Sequence, residues 1–226
     1  MIFKSVRGSL QSACRTNRFF CASSASSEGG TGTLNILRFR REDVSVLNML
    51  ELEEKLLRTR INENYLIINS CDGKTSKRPS IVMGLSGKAE LLLNTAAVIK
   101  DDIEVLRRYT GGGTVIVDNS TVFIALIMNS SHTQCPPYPR EIMDWTDQHI
   151  YRPTFEELLK EKEKENQENN SNLNSNSNQS TWSFKLREND YIFQDQQNQN
   201  NDVRFDKKIG GNAQTITKDR FVSGII

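Results

Sequence analysis

Three consecutive glycines, Gly111–Gly113, stand between the cationic pair Arg107-Arg108 and the β-branched run TVIVD (114–118). Glycine loses more backbone freedom on folding than any other residue, so three of the chain's 13 in one row point to a need. A plain turn satisfies it. So does a backbone that approaches an anion closely, with its N–H groups turned toward phosphate oxygens. Two familiar nucleotide folds are excluded. A Walker loop needs a glycine five residues before Gly-Lys-Ser/Thr, and Ile68 holds that place ahead of Gly73-Lys74-Thr75. A dinucleotide fold needs G-x-G-x-x-G leading from a strand into a helix, whereas this triplet leads into a strand.

The rest of the chain says what kind of sheet that strand joins. LNILRFR (34–40), YLIINS (65–70) and SIVMGLS (80–86) read as strands. DVSVLNMLELEEKLLRT (43–59) reads as a helix with Asp43 as N-cap and a stripe of Leu47, Leu50 and Leu57. KAELLLN (88–94) is a short helix, and 139–164 is helical with a break near Pro153. TVIVD and TVFIALIM, parted by Asn119-Ser120, carry a hairpin signal. WSFKLREND with YIF gives strands around a polar centre, and 203–221 gives a pair around Gly210-Gly211. Strands come in runs and do not alternate regularly with helices. The expectation is therefore an α+β fold with a mixed, largely antiparallel sheet packed against helices.

Three segments are set aside from this core. From Met1 to Ser27 there is no acidic residue, serine recurs, and Lys4, Arg7, Arg15 and Arg18 are basic. Residues 1–30 are read as a transit peptide or disordered leader that directs the protein to mitochondria, with plastid or cytosol as alternatives. The stretches 160–180 and 194–201 are rich in Asn and Gln and are read as disordered inserts in surface loops. Residues 31–226 are left as one catalytic domain. The net charge of +1 gives no support for nucleic-acid or membrane-surface binding. The four cysteines form no C-x-x-C and have two histidines for company, which argues against a zinc site.

The charged and glycine-rich features fall at strand ends: Arg107, Arg108 and Gly111–Gly113; Arg187 to Asp190; Lys207 to Ala213. Cations, a carboxylate and open backbone are the parts needed to hold a nucleoside triphosphate and its magnesium. At these residues the sequence resembles the lipoate-protein ligase family of the lipoyl/biotin ligase superfamily. The resemblance rests on four ordered blocks, VMGLSGKAELLLN (82–94), RRYTGGGTVIVD (107–118), RENDYIF (187–193) and KKIGGNAQTITKDR (207–220).

The resemblance implies that ATP activates lipoate to lipoyl-AMP. A lysine of a carrier domain then takes the lipoyl group; the carriers are the acyltransferase subunits of 2-oxoacid dehydrogenase complexes or the glycine cleavage H protein. It assigns Lys208 to catalysis. It assigns Arg108, Gly111, Gly112, Gly113, Thr114, Val115, Ile116, Lys208, Gly211 and Ala213 to ATP and the lipoyl-adenylate. Asp190 is placed on Mg2+, with Asn189 beside it. Two alternatives stay open: an octanoyl or lipoyl transferase, though none of the four cysteines follows Lys208, and a non-catalytic paralogue that binds lipoate or carriers. In the family, K-D-R leads on to a histidine-containing strand, whereas here the sequence ends at Ile226. The expectation is an incomplete domain with TITKDRFV (215–222) near the sheet edge, weak adenylate formation, little transfer and a tendency to aggregate.

Overall fold

The computed structural model describes residues 15–20, 33–40, 43–70, 78–170, 182–195 and 206–225. The chain divides into two units, one built chiefly from 1–134 with 213–224, the other from 135–212.

In the first unit, β1 (Arg15–Phe20) runs antiparallel to β2 (Thr33–Arg40), and β2 runs parallel to β3 (Asn64–Ser70). Strand β1 lies within the stretch set aside as a leader. The parallel step requires a crossover, supplied by α1 (Val46–Thr59). Helix α1 starts two residues later than a cap at Asp43 would put it, because Ser45 is the N-cap; its side chain accepts from the Asn48 N–H at 3.2 Å. The helix buries Val46, Met49, Leu50, Leu56 and Leu57, while Leu47 faces outward. One buried residue breaks the apolar stripe: Glu53, only 4% exposed. Each fully buried leucine contributes about 1.5–3 kcal/mol. The core they join includes Phe39, Tyr65, Ile67, Val82, Val117, Phe123, Ile127 and Val222.

A second, three-stranded sheet holds β4 (Ser80–Met83) between β5 (Glu104–Arg107), parallel to it, and β6 (Val115–Val117), antiparallel. Short helices α2 (Ala89–Leu92) and α3 (Thr95–Lys100) connect β4 to β5. The hairpin expected around Asn119-Ser120 does not form. The turn is real, since Asp118 Oδ1 accepts from the Ser120 N–H at 2.9 Å. The two strands nevertheless go to different sheets: β6 pairs with β4, and β7 (Phe123–Asn129) pairs with β3. Beyond β7 the larger sheet continues through β11 (Arg220–Ile225) to β10 (Lys207–Ile216). Strand β11 is thus not an edge strand. It lies between β7 and β10 with Phe221, Val222 and Ser223 fully buried, which removes the expected exposed template.

After α4 (Ser130–Thr133), the second unit carries α5 (Pro139–Thr146), a π-helical turn at Asp147–Tyr151, and α6 (Arg152–Asn170). The break near Pro153 is this π turn. Helix α6 continues to Asn170, into the segment expected to be disordered; its Glu/Lys-rich residues are good helix formers. The remainder, 171–180, and most of the second insert lie outside the described residues. Strands β8 (Trp182–Arg187) and β9 (Asp190–Asp195) form a two-residue hairpin, and the N-terminal half of β10 pairs with β9. Phe155 of α6 stacks on Phe184 at 4.8 Å and meets Phe193 edge-on at 5.6 Å. Strand β10 runs straight through Gly210-Gly211, where the sequence was read as a pair of strands. A bulge between Lys208 and Gly210 absorbs the irregularity that the glycines signal. Among the described residues no helix is long and apolar enough to cross a membrane.

Candidate functional site

The first unit holds the glycine loop, and its two arginines each fix a loop. Arg107 donates to the carbonyls of Leu85 at 2.9 Å and Gly87 at 2.6 Å. Arg108, 4% exposed, turns the other way and donates from Nε and Nη2 to Gly111 O at 3.1 and 2.9 Å and from Nη2 to Gly113 O at 2.8 Å. Backbone bonds tie the two loops: Arg108 N–H to Met83 O and Leu85 N–H to Thr110 O, both 3.0 Å. Arg108 thus holds the carbonyls of the first and third glycines. Among the described residues, none accepts from the N–H groups of Gly111, Gly112 or Gly113. Among the described residues two buried donors nearby also have no partner, Arg108 Nη1 and Thr114 Oγ1. Buried polar atoms are rarely left so, and an anion's oxygens would satisfy them.

The need for glycine differs along the loop. Gly112 sits at φ 96°, where a side chain is strained. At Gly111 and Gly113 a Cβ would meet no atom of the described residues within 4 Å, so their packing does not demand glycine there. Gly84 is demanding: a Cβ on it would fall 2.1 Å from Gly112 O. Gly84→Ala is therefore expected to force the loops apart and cost about 2 kcal/mol of stability, the scale of overpacking. An unchanged unfolding midpoint would show that the loops part freely.

Behind the loop, Tyr109 Oη donates to Glu53 Oε1 at 2.7 Å. Burial pushes the Glu53 carboxyl up to about 7, opposed by the Tyr109 hydrogen bond and the Arg108 charge. Burial, and then Glu53, push the Tyr109 hydroxyl upward, so it keeps its proton and donates. Burial lowers Arg108, offset by Glu53. Val115 and Ile116 continue from the loop into β6, with Ile116 exposed. A cleft of about 430 Å3 in this unit, lined by Arg78, Ser80, Asp102 and Glu104 among others, contains none of the predicted residues; its lining residue Val117 directly follows Ile116 in the chain. Its charged groups are mutually engaged: Arg78 pairs with Asp102, and Ser80 donates to Glu104.

In the second unit the predicted polar residues gather on the β9–β10 ladder. Lys208 Nζ lies 2.7 Å from Asp190 Oδ1, with the two side chains 58% and 39% exposed. The register explains the meeting. Gly211 pairs with Asp190 and Lys208 with Ile192, and the bulge after Lys208 re-aims its side chain across the ladder. A Cβ on Gly211 would stand 3.5 Å from Lys208 Nζ, an ordinary contact. Asn189 occupies the β8–β9 turn after Glu188, whose φ is 54°, and its carbonyl accepts from the Asn212 N–H at 3.2 Å. Ala213, buried, follows on β10 in the first unit. Lys207 turns away and rests over the Trp182 ring at 4.6 Å. Behind Asp190, Tyr191 is fully buried and shares a hydrogen bond with Thr146 Oγ1 at 3.1 Å.

Sequence reasoning selected Arg108, the glycines, Lys208 and Asp190, the last two for separate roles and not as a pair, and did not single out Gly84, Glu53 or Tyr109. The signal for Glu53 was a lone carboxylate on the apolar face of α1.

Comparison with known proteins places the chain in a family. A curated Plasmodium falciparum protein named inactive lipoate–protein ligase 2 is 28% identical over 211 residues, covering 84% of this chain. The chain spans about half, 53%, of that relative's length. The fold is similar to the crystal structure of lipoate-protein ligase A bound with ATP, at a TM-score of 0.55 and 16% identity over 86% of this chain and 65% of that one. It is also similar to protein Ta0514 of T. acidophilum with bound lipoic acid, at a TM-score of 0.54 and 18% identity over 86% and 66% of the two chains. Residues 45–226 match the lipoyl protein ligase A/B catalytic domain, and the chain belongs to that family.

Proposed function

We propose that this protein is a lipoate-protein ligase that uses ATP to activate lipoate and passes the lipoyl group to a carrier-domain lysine. The observation that carries the reading is the glycine loop. Arg108 gathers the carbonyls of Gly111 and Gly113, and among the described residues the three successive glycine N–H groups have no protein acceptor and the buried donors Arg108 Nη1 and Thr114 Oγ1 lack partners. Glycine at 111 and 113, which packing does not require, fits a ligand that lies against the backbone.

In the first half-reaction a lipoate carboxylate oxygen bonds to the α-phosphorus of ATP while the α–β bridging P–O bond breaks, releasing pyrophosphate. Negative charge builds where the two anions meet, and the Lys208 ammonium is the donor suited to it. In the second, a carrier lysine attacks the acyl carbon and AMP departs. The carriers proposed are acyltransferase subunits of 2-oxoacid dehydrogenases or the glycine cleavage H protein. For magnesium, Asp190 with neighbouring Asn189 supplies one carboxylate and one amide, and among the described residues no cluster of three or more His, Cys, Asp or Glu side chains offers a full cage. That donor set fits an ion held largely by substrate phosphates and water, whose charge would offset that of the triphosphate.

The name of the Plasmodium relative favours a second reading, a binder that does not complete the chemistry. Lipoate-dependent exchange of labelled pyrophosphate into ATP tests the proposal. Exchange supports the ligase, and its absence alongside retained lipoate binding supports the binder.

A further inference from the structure

We infer that Glu53 is a positioning residue for the glycine loop, braced through Tyr109, and that a proton on its carboxyl strengthens the loop's hold on a polyanion. The inference rests on the nucleotide reading of that loop. Glu53 is the acidic residue on the buried face of α1, and a charge there has no packing rationale of its own. What it touches is the residue next to Arg108. Its Oε1 accepts the Tyr109 hydroxyl at 2.7 Å, while Arg108 holds Gly111 O and Gly113 O. The path from helix to loop is therefore short: carboxyl, tyrosine hydroxyl, adjacent backbone, loop carbonyls.

Both protonation states of Glu53 offer an oxygen to Tyr109, so the brace persists across neutral pH and only the charge changes. Among the described residues, the groups facing the carboxyl are Arg108 and Tyr109 from the loop side; Glu54 and Arg58 of α1 act on Tyr109. Glu54 and Arg58 pair with each other at 2.8 Å and offset one another. Arg108 is left with Glu53 as its counter-charge. Ionised, Glu53 cancels the Arg108 charge; protonated, it leaves the loop a full positive charge. Burial sets the carboxyl at about 7, so the change falls in the neutral range. The sign follows: polyanion affinity is high below this value and falls as pH rises through it, and binding near pH 7 takes up a proton.

Calorimetric titration of the full chain with ATP from pH 6 to 8.5 tests this on wild type, Glu53→Gln and Glu53→Ala. ATP's own protonation is common to all and cancels in the ratio of dissociation constants. Wild type and Glu53→Gln should bind alike at pH 6, and wild type should be weaker by about fivefold at pH 8.5, the effect of one partly screened charge. A ratio that stays flat with pH overturns the charge coupling. The brace is read separately, by hydrogen exchange at the Arg108 and Leu85 amides, which tie the loops. Exchange should be slow in wild type and Glu53→Gln and faster in Glu53→Ala; equal rates overturn the brace. If Glu53→Ala does not fold, Tyr109→Phe, which removes the hydroxyl alone, replaces it. If wild type binds no ATP at any pH, the nucleotide reading and the charge coupling fail together, and the exchange rates decide the brace alone.

Discussion

Replacing Arg220 with methionine is expected to lower the free energy of unfolding by about 4 kcal/mol, within the range for breaking a buried charged network. Arg220 closes the KKIGGNAQTITKDR block, and its guanidinium is buried at the far end of α1. Nη1 donates to Leu56 O at 2.9 Å and Leu57 O at 2.7 Å, and Nη2 donates to Glu63 O at 2.5 Å. Leu57 O lies in the last turn of α1, where carbonyls lack an intrahelical partner; Leu56 O also takes the Arg60 N–H at 3.1 Å, and Glu63 O lies beyond the helix. A cation there also complements the helix dipole. Methionine keeps most of the apolar stem but removes three charge-assisted bonds worth about 1.5–3 kcal/mol each, less what water and the Arg60 N–H on Leu56 O recover. For a chain of this size the unfolding midpoint should drop by about 8–16 °C. Arg220→Lys should recover only part of this, since one compact ammonium does not span carbonyls at two places in the chain. A loss under about 1 kcal/mol would mean that water replaces the guanidinium freely.

This arginine illustrates what the sequence exposes and what it hides. Its place in a motif was visible, but its partners lie 157 to 164 residues away, and no local pattern reveals such a bond. Glu53 is hidden for the same reason, since Tyr109 is 56 residues on. Elements set by local periodicity were legible: β2, α1, β3 and the β8–β9 hairpin stand close to where alternation and helical spacing put them. Elements decided by pairing were not. The turn at Asn119-Ser120 is locally satisfied, yet only tertiary contacts determine that β6 and β7 part to different sheets. Strand β5, with Glu104 and Val105 exposed, carries no alternation strong enough to read. At Gly210-Gly211 the glycines truly mark an irregularity, but the chain resolves it as a bulge within one strand. The double arginine shows the converse for the site. Its charge pointed to an anion, whereas Arg107 and Arg108 spend their hydrogen bonds on backbone carbonyls. For a ligand they offer the shape of the loops, the unpartnered Arg108 Nη1 and the Arg108 charge.

Lys208→Ala is expected to lower lipoate-dependent pyrophosphate exchange by about 100- to 1000-fold, the scale of removing one electrostatic donor from a transition state. The geometry makes the effect specific to this lysine. The bulge turns Lys208 toward Asp190, at 2.7 Å, while Lys207 lies over the Trp182 ring. Lys207→Ala should therefore change exchange by less than about threefold, since it loses an exposed cation–π contact worth about 0.5–1 kcal/mol of local stability and no donor at the reacting atoms. Neither substitution should alter folding much. The Lys208–Asp190 pair is more than a third exposed on both sides, and pairs of that kind contribute at most about 1 kcal/mol. Melting curves that overlay the wild type thus separate a chemical loss from a structural one. Lys208→Arg should not restore exchange, because a planar guanidinium spreads its charge and does not fit the space of an ammonium. Asp190→Asn separates the two roles of the pair: if Asp190 mainly holds magnesium, exchange falls and added Mg2+ partly restores it, and if it mainly orients Lys208, added Mg2+ does nothing. Equal losses at Lys207 and Lys208, with folding intact, would sink the assignment of Lys208 to adenylation.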